Sequence, residues 1–309
     1  MSPNVQISSA LPSFEASDPG SWNHLVEHAQ MLESLGVDRI VVSDHVAFGR
    51  DLTSYARPEL GGREGGVQPT SPDGLWLEPL TTLSYLAART DRIRLGTNIL
   101  LAALRPAALL AKTAATLDVL SGGRLDLGVG VGWQRAEYDA VGVDFDGRGR
   151  LLDRTLEVCQ LLWRGDEASF TSPGLNFDRI HQMPKPLQPE GIPIWVSGTV
   201  NRASARRLAR FGSGWIPWGP AADDVASAIG VMRAAVADAG GDPHGFGVVG
   251  QIPRIVDAGG RADIGAMARY AHGMAQSGVT DLRVTWWPRN APGDPNEVMA
   301  ALVAAIRSW

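Results

Sequence analysis

The sequence contains one cysteine, Cys159, and only two lysines, Lys112 and Lys185, among 28 basic residues. A lone thiol excludes an internal disulfide and any thiolate metal cluster. Its helical neighbours Leu156, Val158, Leu161 and Leu162 make it a packed side chain. There is no basic run and the net charge is −5, which argues against nucleic acid or an anionic membrane surface as a partner. No uninterrupted apolar run approaches the ~20 residues of a membrane-spanning helix. The stretch Met1–Asp18 lacks a basic segment followed by an apolar one, so no signal peptide is expected, and a soluble, cytoplasmic protein is. The chain also lacks a G-x-S-x-G elbow, a P-loop and a convincing metal triad.

What is present is a rhythm. Short apolar runs at Val5–Ser8, Arg39–Ser43, Arg94–Asn98, Leu125–Val129, Ile194–Ser197, Trp215–Pro217, Gly247–Ile252 and Leu282–Thr285 each precede a helical pattern. Asp18-Pro19, Glu78-Pro79 and Asp294-Pro295 read as helix starts, with an acid as N-cap and proline at the first helical position. The expected fold is an α/β (β/α)8 TIM barrel, one domain over 1–309, with loop insertions after strand 2 (Val46 to Leu77) and before strand 5 (Gly165–Pro189, hairpin-like). The competing architecture is an open doubly wound sheet. In a barrel the chemistry sits at the C-terminal ends of the strands, so strand ends are where functional residues are sought.

Asp44-His45 directly follows strand 2. An imidazole there can exchange a proton near neutral pH, and an adjacent carboxylate can orient it; the alternative is a histidine bonded to a neighbouring loop without a catalytic part. Gly128-Val129-Gly130-Val131-Gly132 ends strand 4, where missing Cβ atoms permit close approach of a flat ring or an anion, or simply a tight turn. It is not the dinucleotide fingerprint, since its third glycine comes one residue early. Ser197-Gly198-Thr199, with Arg202 and Arg206 one turn on, reads equally as a phosphate cradle at a helix start or as ordinary N-capping. Trp76, Trp133, Trp218, Trp286 and Trp287 collect at strand ends and in the long loop, suiting a planar or apolar ligand. His24-Leu25-Val26-Glu27-His28 has zinc-protease spacing, but no third ligand can be named and a solvated helix face explains it.

These residues resemble the luciferase-like monooxygenase superfamily, and within it the branch using the deazaflavin coenzyme F420. The likeness is strongest over Leu77–Trp133, which contains LGTNILLAALRP and SGGRLDLGVGVGW, and returns in VSDH at Val42–His45 and IPIWVSGT at Ile192–Thr199. The resemblance implies a non-prolyl cis peptide at Asn98–Ile99 backing the cofactor ring, with Asp44 and His45 beside the ring's reactive face. It further implies ring contacts from Gly130, Val131 and Gly132, and phosphate contacts from the Ser197–Thr199 turn at Gly198 and Thr199, with Arg202 nearby. The two insertions resemble segments that cover the substrate. The family's sugar-phosphate dehydrogenases carry a glutamate where this chain has Trp133, which points away from a sugar phosphate and towards a small apolar organic substrate. The implied activity is F420-dependent hydride transfer, with His45 as acid/base oriented by Asp44 and Trp76, Trp133, Trp218 and Trp286 against the substrate. A flavin-mononucleotide (FMN) monooxygenase and a non-enzymatic cofactor-binding barrel are the alternatives. Family homodimers make a homodimer the assembly to look for.

Overall fold

The computed structural model describes residues 5–285 and 291–309. Eight parallel strands form a closed barrel: β1 (Gln6–Ala10), β2 (Arg39–Val42), β3 (Arg94–Thr97), β4 (Leu125–Val129), β5 (Ile194–Gly198), β6 (Gly214–Pro217), β7 (Gly247–Gln251) and β8 (Asp281–Val284). Each pairs with its successor, and β8 returns to β1 with Ser8 opposite Arg283. The expected TIM barrel is therefore the observed architecture.

The helices, in chain order, are α1 (Asn23–Ser34), α2 (Pro79–Ala87), α3 (Ala107–Leu120), α4 (Arg135–Ala140), α5 (Arg148–Arg164), α6 (Arg202–Phe211), α7 (Pro220–Asp223), α8 (Val225–Asp238), α9 (Ile264–Gln276) and α10 (Pro295–Arg307). Five of these ten starts carry a side-chain cap. Glu78 accepts from Thr81 N at 2.7 Å, Asn201 from Ser204 N at 2.9 Å and Asp263 from Ala266 N at 2.9 Å. The start expected at Asp18-Pro19 is not one. The Asp18 carboxylate turns back onto Gly20 N at 2.8 Å, Gly20 takes φ +71°, and α1 begins only at Asn23. The aspartate closes a turn instead of capping a helix.

Outward-facing strand residues such as Ile7, Ile40, Leu95, Leu127, Val196, Val248 and Leu282 pack with the helices in one continuous core. A second, small cluster of Trp195, Ile216 and Val249 lies apart from it, with Ile99 against it. This is the packed barrel interior.

The segment between α5 and β5 holds the expected hairpin, Ala168–Ser172 with Leu175–Ile180. It does not cover the barrel mouth. Its ties run to the outer wall: Arg154 Nη1 to Pro173 O at 2.5 Å, Gln182 Nε2 to Ala108 O at 2.9 Å, Lys112 Nζ to Met183 O, and Leu187 N to Asp118 at 2.8 Å. An insertion that leaves the C-terminal end of α5 starts at the barrel's N-terminal face, so of the two insertions it is the loop after β2 that is placed to roof the site.

Candidate functional site

At the C-terminal end of β3 the Asn98–Ile99 peptide is cis, where the resemblance places it. The chain then resumes pairing with β4: Leu100 N donates to Gly128 O at 2.7 Å and Gly130 N to Leu100 O at 3.2 Å. The strand-4 glycines make this possible. A Cβ on Gly128 would run into the Thr97 carbonyl oxygen, one on Gly130 into Ile99 Cδ1, and one on Gly132, at φ +66°, would stand 2.8 Å from Leu101 Cδ2. The close approach these glycines allow is thus to the β3 bulge and the loop after it. Val131 lies between them, and Tyr138 Oη donates to its carbonyl at 2.6 Å.

Asp44 has a fully buried side chain. It accepts from Leu101 N at 2.8 Å and from Arg105 Nη1 and Nη2 at 2.6 and 3.1 Å. Arg105 reaches on to Glu78 at 2.8 Å. Burial alone would lower the Arg105 pKa, but the hydrogen bonds and charge of Asp44 and Glu78 outweigh it and raise the pKa. Asp44 therefore ties the end of β2 to the loop after β3. It does not orient His45, as the sequence reading expected, because both its oxygens face Arg105.

That part falls to Glu137. His45 Nδ1 stands 3.2 Å from each Glu137 oxygen, and Val46 N donates to Oε1 at 2.6 Å. Only 1% of the Glu137 side chain is exposed, against 11% for His45. The short helix α4 follows the glycine run and turns this carboxylate inward, one turn after Trp133. Its neighbour Gln134 accepts from Gly49 N and donates to Ala47 O at 3.1 Å, so α4 stitches down the root of the loop after β2.

Around His45 stand rings. Phe48 lies 4.4 Å away, Trp76 at 4.8 Å edge-on and Trp133 at 6.0 Å edge-on, by ring centroids. Phe14 stacks on Trp76 at 4.1 Å, where its two-residue strand Phe14–Glu15 pairs with Leu75–Trp76. Tyr55 bridges Trp133 (5.3 Å) to Trp218 (6.3 Å), and burial raises its pKa, with Arg63 opposing weakly. Trp218 Nε1 faces the carbonyls of Gly61 and Gly62 at 3.2 and 3.0 Å, and Arg148 Nη2 donates to Leu60 O at 3.0 Å. These bonds pin the loop across the mouth. The expected Trp76, Trp133 and Trp218 do gather here; Trp286 and Trp287 lie outside the described residues.

The β5 end is separate in chemistry. Gly198 has no room for a Cβ, which would stand 2.6 Å from Ser204 Oγ, and its carbonyl accepts from Trp215 Nε1 at 3.0 Å. Thr199 Oγ1 accepts from Asn201 Nδ2 at 3.1 Å, while Asn201 caps α6. Ser197 is half-buried, and Arg202 and Arg206 are exposed. Among the described residues no group of three His, Cys, Asp or Glu could hold a metal, and no helix is long and apolar enough to cross a membrane.

Sequence reasoning missed Glu137, Gln68, Phe48, Tyr55 and Phe14. The signal for Glu137 was an acid one helical turn after the Trp133 that ends the glycine run. The loop aromatics carried no periodicity that could place them.

A family model described as luciferase-like monooxygenase matches residues 5–275. The chain belongs to the luciferase-like monooxygenase family, a class of flavin- or deazaflavin-dependent oxidoreductases. Rv0953c of Mycobacterium tuberculosis, an uncharacterised protein, is 32% identical over 257 residues, 82% of this chain and 84% of that one. The F420-dependent glucose-6-phosphate dehydrogenase of Amycolatopsis mediterranei is 30% identical over 196 residues, 62% of this chain and 52% of that one. The oxygenase component of the flavin-dependent trigonelline monooxygenase of Acinetobacter baylyi is 33% identical over 121 residues, 38% and 33% of the two chains. Among solved structures, an F420-dependent secondary alcohol dehydrogenase superposes with a TM-score of 0.74 at 17% identity, over 98% of this chain and 99% of that one.

Proposed function

We propose that the protein is a coenzyme F420-dependent oxidoreductase that moves a hydride between the cofactor and a small, apolar organic substrate, with His45 carrying the accompanying proton. The observation that supports it most is a single imidazole, backed by a buried carboxylate, inside a cage of aromatic rings at the barrel mouth. Such a site moves one proton in dry surroundings and offers an apolar body its walls.

The residues present suit the cofactor. The bulge at Asn98–Ile99 and the backbone of Gly130, Val131 and Gly132 would back a planar ring. The Ser197 hydroxyl, the backbone at Gly198 and Thr199, and the Arg202 guanidinium are hydrogen-bond donors of the kind a phosphate takes. When bound, the deazaflavin supplies the hydride acceptor or donor; the organic chemistry is its own. The chain's residues do the rest. Glu137 accepts from Nδ1 and so fixes the His45 tautomer, leaving Nε2 to exchange the proton with the substrate. Phe48, Trp76 and Trp133 exclude water, and the pinned loop keeps them in place. With Trp133 where the sugar-phosphate enzymes carry an acid, the chain brings its carboxylate in from 137, behind the histidine, and leaves an apolar wall.

Titration of the purified protein with oxidised F420 and, separately, with FMN, followed by fluorescence, tests the reading. Tight F420 binding with weak FMN binding is expected. The reverse preference, with oxygen uptake on supplying reduced FMN, would overturn it in favour of the monooxygenase activity that the trigonelline enzyme's name carries.

A further inference from the structure

His45 has a second polar neighbour that proton transfer alone does not explain. Gln68 lies half-buried on the loop across the mouth, and its amide Nε2 stands 3.3 Å from His45 Nε2. The other neighbours of the ring are aromatic, and the Trp76 indole N–H is already committed to Thr70 Oγ1 at 2.9 Å. Among the described residues Gln68 alone hydrogen-bonds that nitrogen.

Glu137 settles the other edge of the ring. A carboxylate only accepts, so Nδ1 carries a proton. A neutral ring held that way has one lone pair left, on Nε2, and an amide N–H is the donor that satisfies it. A group exchanging a proton with His45 must come within hydrogen-bond reach of the same nitrogen. One lone pair does not serve two donors, and Nδ1 is closed off by Glu137.

We propose that Gln68 is the loop's own placeholder at His45 Nε2: it positions the ring while the site is empty, and the substrate's reacting polar group binds by displacing it. This rests on the reading of His45 as the proton-transfer group. The amide suits the task because its two ends differ. The NH2 end donates to a neutral ring, and the carbonyl end, reached by rotating the amide, accepts from a protonated one. The loop thus follows the ring through either state and releases it for one hydrogen bond. The charged and titratable groups about the ring do not compete with it. Glu137 on α4 is held at Nδ1, Asp44 on the ring's own chain segment is neutralised by Arg105, and Tyr55 on the loop is kept protonated by burial.

The first test needs neither cofactor nor substrate. Ring-nitrogen NMR of the cofactor-free protein, with the His45 signals assigned by their loss in His45→Gln, follows protonation of the ring with pH. Gln68→Glu puts a carboxylate at Nε2, and the ring's affinity for a proton should rise roughly tenfold, one unit on the pH axis. Glu64→Gln, an exposed charge change on the same loop, should leave the ring as it is. A ring that titrates identically in the parent and in Gln68→Glu would overturn the inference. The second test is kinetic. Removing a placeholder removes a competitor, so Gln68→Ala should lower KM severalfold. A loop that Gln68 merely braced would loosen, and a raised KM would also overturn the proposal. The NMR result stands whatever His45 does in turnover: if Gln68→Glu moves the ring while His45→Gln turns over normally, the proposed function fails and the Gln68 contact does not.

Discussion

The two ends of this barrel are filled by opposite means. At the N-terminal end the interior is a knot of charge. Arg39 donates to Asp126 at 2.7 Å and to Asp281, and to Gln6 at 3.0 Å; Arg94 meets Asp126 through two bonds of 2.7 Å; Arg283 donates to Ser8 at 3.1 Å. The Arg39 guanidinium also lies over the Trp195 ring at 4.4 Å. At the C-terminal end the interior is aromatic, with one imidazole and one carboxylate at its centre. In the knot Asp126 and Asp281 are each bound by several donors. At the mouth, one nitrogen of one ring is held by a single loop amide. Barrel enzymes place chemistry at one end and stability at the other, and here the ion-paired knot and the His45 ring mark the two ends.

The comparison breaks most readily at the knot. Asp281 is completely buried and accepts from Arg39 and Ser8. Asp281→Ala leaves Arg39 and Arg283 facing each other, and burial already pulls the Arg283 pKa down to about 10 with only Asp281 resisting. Removing one partner of a buried pair costs about 3–5 kcal/mol. Urea unfolding should show that loss, while the folded fraction still binds cofactor as the parent does. A loss below about 1 kcal/mol would mean that the knot is solvated.

The mouth should answer in the other currency. His45→Gln is expected to lower turnover by roughly 10²–10⁴-fold, the range for a positioned acid/base, with a shift in unfolding midpoint small beside that of Asp281→Ala. Glu137→Gln keeps the shape but offers Nδ1 a neutral amide, so a smaller loss in turnover is expected. Steady-state rates on folded protein read both. Equal stability losses at the two ends would erase the distinction.

The distinction was legible in sequence only in part. The barrel and several element boundaries follow from local patterning, because the strand face turned to the helices must be apolar and five helix starts carry a side-chain cap. Leu125–Val129 falls where the apolar pattern put it, and Ile194–Gly198 and Gly214–Pro217 each extend one residue beyond the expected run. His45 was found because it directly follows a strand. Glu137 and Gln68 were not, since each reaches the ring from a segment far along the chain, 92 and 23 residues away. Adjacency misled for Asp44. Both residues lie past the end of β2, where Asp44 turns to Leu101 N and Arg105 while His45 turns to Glu137.

The glycine run offers a middle-sized test. Gly128→Ala pushes a methyl group at the Thr97 carbonyl, which cannot swing aside as a side chain would. Overpacking of this kind costs about 1–3 kcal/mol. Since the displaced backbone leads into the Asn98–Ile99 bulge, weaker cofactor binding should accompany the loss. A destabilised protein that binds cofactor normally would separate the glycines from the site.

The smallest effect sharpens the comparison most, because it sets the mouth's ion pair beside the knot's. Glu78 caps α2 and pairs with Arg105, yet its side chain is 45% exposed. Burial works to raise its pKa, but the Thr81 N–H and the Arg105 guanidinium outweigh it, and the carboxyl titrates below its ordinary 4.5. A carboxyl with a depressed folded-state pKa stabilises the fold above its unfolded pKa and loses that stabilisation as pH falls through the folded one. Glu78→Gln removes the charge and weakens the cap. Solvent screens the exposed half of the pair, so about 0.5–1 kcal/mol is expected at pH 7. The charge-dependent share of that gap should shrink as pH drops below 4.5. The Asp281→Ala gap should dwarf it at pH 7, because there the buried Arg283 loses its one opposing charge and Arg39 keeps only Asp126 as a carboxylate partner. If the two acids proved equal, burial would not be what separates the two ends of the barrel.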